Sequence, residues 1–239
     1  MYDELIALHY AAYRPKLHEV LLAKCLKPNQ NFSLGLDIGC GTGRSSVSLS
    51  AYCNSVIALD PSASMLQQAE NHPQVRYIQM KVNLDIPEYM FDIITFAGSL
   101  FYCKSQDLVD KLVPLCSQRA IILVYDFNIH LEEILLGLGL NTPIEIDQYN
   151  HFEDFSGLKT NHFIELGRQT ETISYPISLN NLVHFLLSHS SIYQNLVEES
   201  GRNKITRYLS MKLAVLPKTL TRNLKADLYY QKYEVIKTY

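Results

Sequence analysis

Leu36-Asp37-Ile38-Gly39-Cys40-Gly41-Thr42-Gly43 is an apolar strand running into three glycines at alternate positions, and the rest of the chain is read outward from it. Glycine lets the backbone take φ > 0 and approach a ligand more closely than any Cβ permits. Leu34, Leu36 and Ile38 lead in and Ser45-Ser46-Val47-Ser48-Leu49-Ser50 follows, which predicts a strand, a tight turn and a helix. Twenty-one residues after Gly39, the apolar run Val56-Ile57-Ala58-Leu59 ends on Asp60-Pro61. An acid at that spacing accepts hydrogen bonds from ribose hydroxyls in nucleotide-binding α/β folds. The dinucleotide pattern G-x-G-x-x-G would need glycine where the chain has Arg44, which disfavours a nicotinamide dinucleotide. No G-K-[ST] follows the turn, so a P-loop is excluded.

Further strands are expected near 75–79, 91–96 and 120–126, with helices near 16–26, 44–52, 62–71 and 105–115. This βαβ rhythm makes a parallel sheet covered on both faces. Pro61 followed by Ser62 suits a helix entry capped by Ser62 or Ser64. Beyond residue 127 the rhythm changes: 128–160 is mixed and polar, 162–175 reads as a strand, 179–225 as helices and 231–239 as a closing strand. One domain is expected over 1–239, with 1–30, 128–160 and 179–225 forming a helical cap on the substrate side. A chain of this length buries roughly 70% of its unfolded surface on folding.

Several function classes fall away on composition. Net charge is −3, and the 21 lysines and arginines are scattered, so no stripe recruits nucleic acid. No apolar run approaches the roughly 18 residues of a membrane span. Met1-Tyr2-Asp3-Glu4 does not read as a signal peptide, and a cytoplasmic protein is expected. The five cysteines include no C-x-x-C pair, so neither a disulfide framework nor a zinc site is encoded. The eight histidines show no metal-ligand spacing, and no metal is expected.

The D-I-G-C-G-T-G turn resembles the first motif of the class I S-adenosylmethionine-dependent methyltransferases. Ala58-Leu59-Asp60-Pro61-Ser62 with Met65-Leu66 is similar to that family's second-strand motif, and Phe91-Asp92-Ile93-Ile94 to its fourth-strand motif. Tyr10-Ala11-Ala12-Tyr13-Arg14-Pro15 resembles the Y-x-x-Y-R-P found in a subgroup that includes trans-aconitate methyltransferases. The resemblance implies a doubly wound, mostly parallel, seven-stranded Rossmann-like α/β sheet, with S-adenosyl-L-methionine as cofactor. It also implies methyl transfer to a small-molecule acceptor, a carboxylate being the candidate the subgroup suggests. Where the family usually offers an acid for the adenine amino group after the third strand, this chain has Met80-Lys81-Val82-Asn83, so the adenine contact is unassigned.

Carried over residue by residue, the cofactor candidates are Asp37, Gly39, Cys40, Gly41, Thr42, Gly43, Asp60, Pro61, Ser62, Met65 and Ser99. Asp37 would orient the amino group or the turn, and Asp60 would hold the ribose. Candidates for binding the acceptor are Tyr13, Arg14, Phe101 and Tyr102, with Asp126 beyond the fifth strand. Tyr10, Tyr102 and His130 are the candidates for a catalytic role. Two other readings stay open: a non-catalytic cofactor-binding or regulatory partner with the same fold, and a methyltransferase acting on a protein or larger acceptor.

Overall fold

The computed structural model describes residues 4–81, 89–140 and 149–237. Seven strands form one mixed sheet: β1 (Phe32–Ile38), β2 (Cys53–Asp60), β3 (Val75–Gln79), β4 (Phe91–Ala97), β5 (Cys116–His130), β6 (Phe163–Pro176) and β7 (Asn223–Val235). Their order is β3-β2-β1-β4-β5-β7-β6. The first five run parallel, with Asp37 beside Ala58 and Thr95, Asp60 beside Gln79, and Ala97 beside Tyr125. This register sets the carboxyl ends of β1, β2 and β4 side by side. Strand order reverses at β1, between β2 and β4, where open α/β sheets place their ligands.

The helices are α1 (Glu4–Ala12), α2 (Leu17–Cys25), α3 (Arg44–Ser50), α4 (Ala63–Leu66), α5 (Leu100–Cys103), α6 (Gln106–Leu115), α7 (Glu132–Gly137), α8 (Leu179–Leu187), α9 (Ser190–Ser200), α10 (Ile205–Ala214) and α11 (Lys218–Thr221). No helix among the described residues is long and apolar enough to cross a membrane.

The chain divides into two compact units. A sheet unit holds the described residues within 17–127, 149–171 and 228–239, and a helical unit those within 1–16, 128–148 and 172–227. The residues expected to form a cap are thus distributed over both units. Leu36, Ile38, Ile57, Leu59, Phe96 and Ile122 centre the core of the sheet unit. Ala120 to Tyr125 of β5 is buried at every position, which is why an unbroken apolar run is tolerated there. Leu108, Val109 and Leu112 bury one face of α6, whose entry is capped by Ser105 accepting from the Leu108 N–H at 3.1 Å. The helical unit has its own core, with Leu182, Phe185, Leu186, Leu196 and Leu209 near its centre.

Three boundaries differ from expectation. The helix expected over 62–71 is the single turn α4, none of whose residues is buried, so no packing supports extending it. The strand expected near 120–126 extends over Cys116–His130. The closing strand begins at Asn223, because Leu224, Ala226 and Leu228 alternate buried with less buried neighbours in the two-residue period of a strand.

Candidate active site

Asp37 lies at the centre of the turn's support. Its side chain is fully buried and accepts hydrogen bonds from Ser45 Oγ (2.6 Å), Ser46 Oγ (2.6 Å) and Thr95 Oγ1 (2.8 Å). The carboxylate thereby fastens the first turn of α3 and the neighbouring strand β4 to β1, beside the partially positive amino end of α3. Burial pushes its carboxyl above the usual range; the three hydroxyls oppose that rise and the nearby Asp60 charge adds to it.

The glycine turn wraps over the end of β2. The N–H groups of Gly39 and Cys40 donate to the Leu59 carbonyl at 2.8 and 3.0 Å, and Gly43 N–H donates to the Cys40 carbonyl at 2.8 Å. Three positive φ angles (74°, 54° and 80°) make the turn, but glycine is needed at each for a different reason. A Cβ on residue 39 would collide with Ser99, whose hydroxyl donates to the Ile38 carbonyl. A Cβ on residue 43 would collide with the Tyr77 hydroxyl, which donates to the Glu70 carbonyl at 2.8 Å. A Cβ on residue 41 would meet nothing within 4 Å among the described residues, and the Gly41 N–H donates to Asp60 Oδ2 at 2.8 Å.

Asp60 Oδ1 accepts from the Ser62 N–H at 2.8 Å, and Ser62 caps α4 by accepting from the Met65 N–H at 3.3 Å. A carboxylate offers about four acceptor sites, so these two bonds leave capacity for ligand hydroxyls. Asp60 faces a cavity of about 450 Å³ beyond the carboxyl ends of β1, β2 and β4. Of the candidates, Gly39, Asp60, Pro61, Ser99 and Tyr102 line it, joined by Ile38, Lys81, Gly98 and Cys103. Asp37 sits behind the turn. Cys40 is buried, and burial raises its thiol. Thr42 accepts from the Glu70 N–H through its carbonyl at 3.2 Å, and Met65 is exposed.

On the β4–β5 side, Asp126 forms a second polar cluster. Its Oδ1 accepts from the Phe127 N–H, and its Oδ2 lies 2.7 Å from both the Tyr149 hydroxyl and His151 Nδ1. The carboxylate can only accept, so Nδ1 carries the proton. The Tyr149 hydroxyl also lies 2.7 Å from the Gly98 carbonyl, and its single hydrogen serves one acceptor at a time. Tyr149 stacks on Tyr102 (5.6 Å) and meets Phe101 edge-on (5.1 Å), so these rings form one aromatic wall. His18 on α2 approaches the Tyr125 hydroxyl (3.3 Å) and packs edge-on against Phe127; burial holds it down to about 4.

The remaining candidates lie in the helical unit. Tyr13 bonds with Tyr175, which together with burial raises its phenol. Arg14 stands 5.5 Å over the Phe185 ring. His130 Nε2 is 2.7 Å from Asp227 Oδ2, and Asp227 Oδ1 accepts from Thr172 at 2.6 Å. Tyr10 belongs to α1, and its side chain lies outside the described residues. Sequence reasoning missed Lys81, Gly98, Cys103, Tyr149 and His151. Gly98 carries a signal, a glycine directly after an apolar strand with φ 69°, and Lys81 lies in the stretch where the resemblance places the adenine contact.

Residues 36–116 match the family described as methyltransferase domain. A Dictyostelium discoideum protein named as a methyltransferase is 23% identical over 157 residues, covering 64% of this chain and 56% of its own length. A Saccharomyces cerevisiae protein named as an S-adenosylmethionine-dependent methyltransferase is 27% identical over 114 residues, covering 44% of this chain and 39% of its own. The chain thus spans about half or less of the curated relatives it matches. A solved structure described as a type II methyltransferase from Anaeromyxobacter dehalogenans shares the fold, with TM-score 0.57 and 18% identity over 94% of this chain and 98% of that one. The glycine turn, the strand order and the match over residues 36–116 together support a Rossmann-like class I methyltransferase fold for this chain.

Proposed function

We propose that the chain binds S-adenosyl-L-methionine in the cavity at the ends of β1, β2 and β4, and transfers its methyl group to a small-molecule acceptor. The observation that carries this reading is the Asp60 carboxylate, tied to the Gly41 N–H and facing a cavity of about 450 Å³. That volume falls within the range of roughly 300–1,000 Å³ common for small-ligand sites. Asp60 would accept from the ribose hydroxyls, the open space over Gly41 would admit the amino-acid tail, and Pro61 would flank the base. The cofactor supplies a methyl group on a positively charged sulfur, which leaves as a neutral thioether.

What remains for the protein is alignment and exclusion of water. Ser99 and Gly98 fix the end of β4, and the wall of Phe101, Tyr102 and Tyr149 shapes the acceptor side. A carboxylate acceptor is ionised at neutral pH and needs no general base. The Y-x-x-Y-R-P resemblance supports that acceptor class.

The test is a thermal-shift comparison of S-adenosylhomocysteine, S-adenosylmethionine and NADH. A ligand at about a hundred times its Kd adds roughly 2.7 kcal/mol, several degrees for a chain of this size. Shifts with both sulfur nucleosides and none with NADH are expected, followed by label transfer from methyl-labelled cofactor to small polycarboxylates. No shift with either sulfur nucleoside overturns the reading. Label recovered only in protein would replace the small acceptor with a protein one.

A further inference from the structure

Resting on that cofactor reading, the position of Lys81 carries a conclusion about which base the cavity accepts. Asp60 and Gln79 are register partners on β2 and β3, and the Met80 N–H donates to the Asp60 carbonyl at 3.0 Å. Lys81 therefore leaves the sheet immediately beside the end of β2. It lines the same cavity as Asp60 and Pro61, while Gly39, Gly98 and Ser99 line it from the β1 and β4 ends. Gln79 Nε2 approaches the Pro61 carbonyl at 3.4 Å, tying the two chain exits together. A nucleoside whose ribose meets Asp60 and whose tail follows the glycine turn has its base on the β3 side, against Pro61 and Lys81.

A lysine ammonium has three donors and no acceptor, so it can bond to ring nitrogens or to a 6-oxygen but not to a 6-amino group. On the edge of a purine carrying the 6-substituent, lysine pairs with the O6 and N7 acceptors, whereas 6-amino recognition needs an acceptor on the protein. Among the described lining residues the charged groups are Asp60, on the ribose side of this arrangement, and Lys81. We infer that Lys81 makes the base end of the cavity a donor site. The chain then binds a 6-oxopurine nucleoside thioether about as well as the 6-aminopurine one.

The experiment is calorimetric titration of the full chain with S-adenosylhomocysteine and with S-inosylhomocysteine, its 6-oxo counterpart. Dissociation constants within about threefold of each other are expected for the wild type. Lys81→Met, an exposed position where folding is not at stake, should weaken both ligands about tenfold, as expected for loss of a charged donor. Lys81→Glu should create a preference for the adenosyl form of more than about tenfold, because a carboxylate accepts from the amino group and repels the 6-oxygen. A wild-type preference of tenfold or more for the adenosyl ligand overturns the inference and leaves the cofactor reading standing. So does a Lys81→Met chain that binds both as tightly as the wild type, which would put the ammonium in solvent. A wild type that binds neither ligand overturns the cofactor reading and the inference together.

Discussion

Asp37 and Asp126 are both carboxylates held by several donors in the sheet unit, yet one is sealed and the other keeps contact with solvent. Asp37 has no exposed surface and is surrounded by the hydroxyls of Ser45, Ser46 and Thr95. The Asp126 side chain is 16% exposed and that of its partner His151 is 32% exposed, with the Tyr149 phenol as the second donor. Hydroxyls of serine and threonine do not titrate, so in the first cluster only the Asp37 carboxyl itself can change charge. An imidazole and a phenol bring rings that pack and stack. The difference separates a sealed cluster that holds the turn in place from a partly exposed one that holds an aromatic wall.

The largest test of that division is Asp37→Ala. Removing the acceptor strands the buried Ser45 and Ser46 hydroxyls and leaves Thr95 only its long bond to the Leu36 carbonyl, and a stability loss of about 3 kcal/mol is expected in urea unfolding, against about 1 kcal/mol for Asp126→Ala. Equal losses would break the comparison. Asp60→Ala should leave the fold intact and weaken S-adenosylhomocysteine binding by about 2 kcal/mol, read by calorimetry; unchanged affinity would remove Asp60 from the site.

A third test uses pH. Burial holds His18 down to about 4, with Arg44 adding to the depression and Asp126 opposing it. The unfolded chain takes up that proton near 6.5, so between pH 6.5 and 4 the unfolded state binds more protons and stability falls as pH drops through the window. Discounted for the solvent the ring still meets, the loss is about 2 kcal/mol. His18→Gln should flatten the difference between urea midpoints at pH 7 and pH 4.5, and an unflattened profile would assign the pH dependence elsewhere. The smallest expected effect is that of Tyr149→Phe, about 1 kcal/mol of stability for one lost hydroxyl, with S-adenosylhomocysteine affinity unchanged within twofold. A large loss of cofactor binding would show that the Asp126 cluster serves the cofactor end instead.

The same contrast explains what was legible in the sequence. Asp37 and its serine partners lie eight and nine residues apart inside one motif, so strand, turn and helix could be read together. Asp60 was legible through its spacing from Gly39 and its place at the end of an apolar run. The partners of Asp126 come from residues 149 and 151, in a stretch with no period and no motif, and only the folded chain brings them to β5. Lys81 falls in the stretch where the resemblance expects an acid for the adenine, and with a lysine standing there the contact was left unassigned. Tyr13 and Arg14 stood out through the Y-x-x-Y-R-P resemblance and His130 by residue type, and their partners Tyr175, Phe185 and Asp227 are all far away in the chain. The helix ending at Leu66 was overextended because propensity persists over 67–71 while burial does not.

The packing around the glycine turn also bears on descent. Gly39 is required by Ser99 and Gly43 by Tyr77, whatever the cavity holds. A lineage that had abandoned its ligand would still be kept from replacing either glycine until position 99 or 77 had shrunk first. Gly41, with nothing among the described residues within 4 Å of an added Cβ, is the one of the three free to drift in such a lineage, held only by its positive φ. Among descendants of this chain, the middle glycine is therefore the letter to inspect when asking whether the turn still serves a ligand or has become an inherited joint.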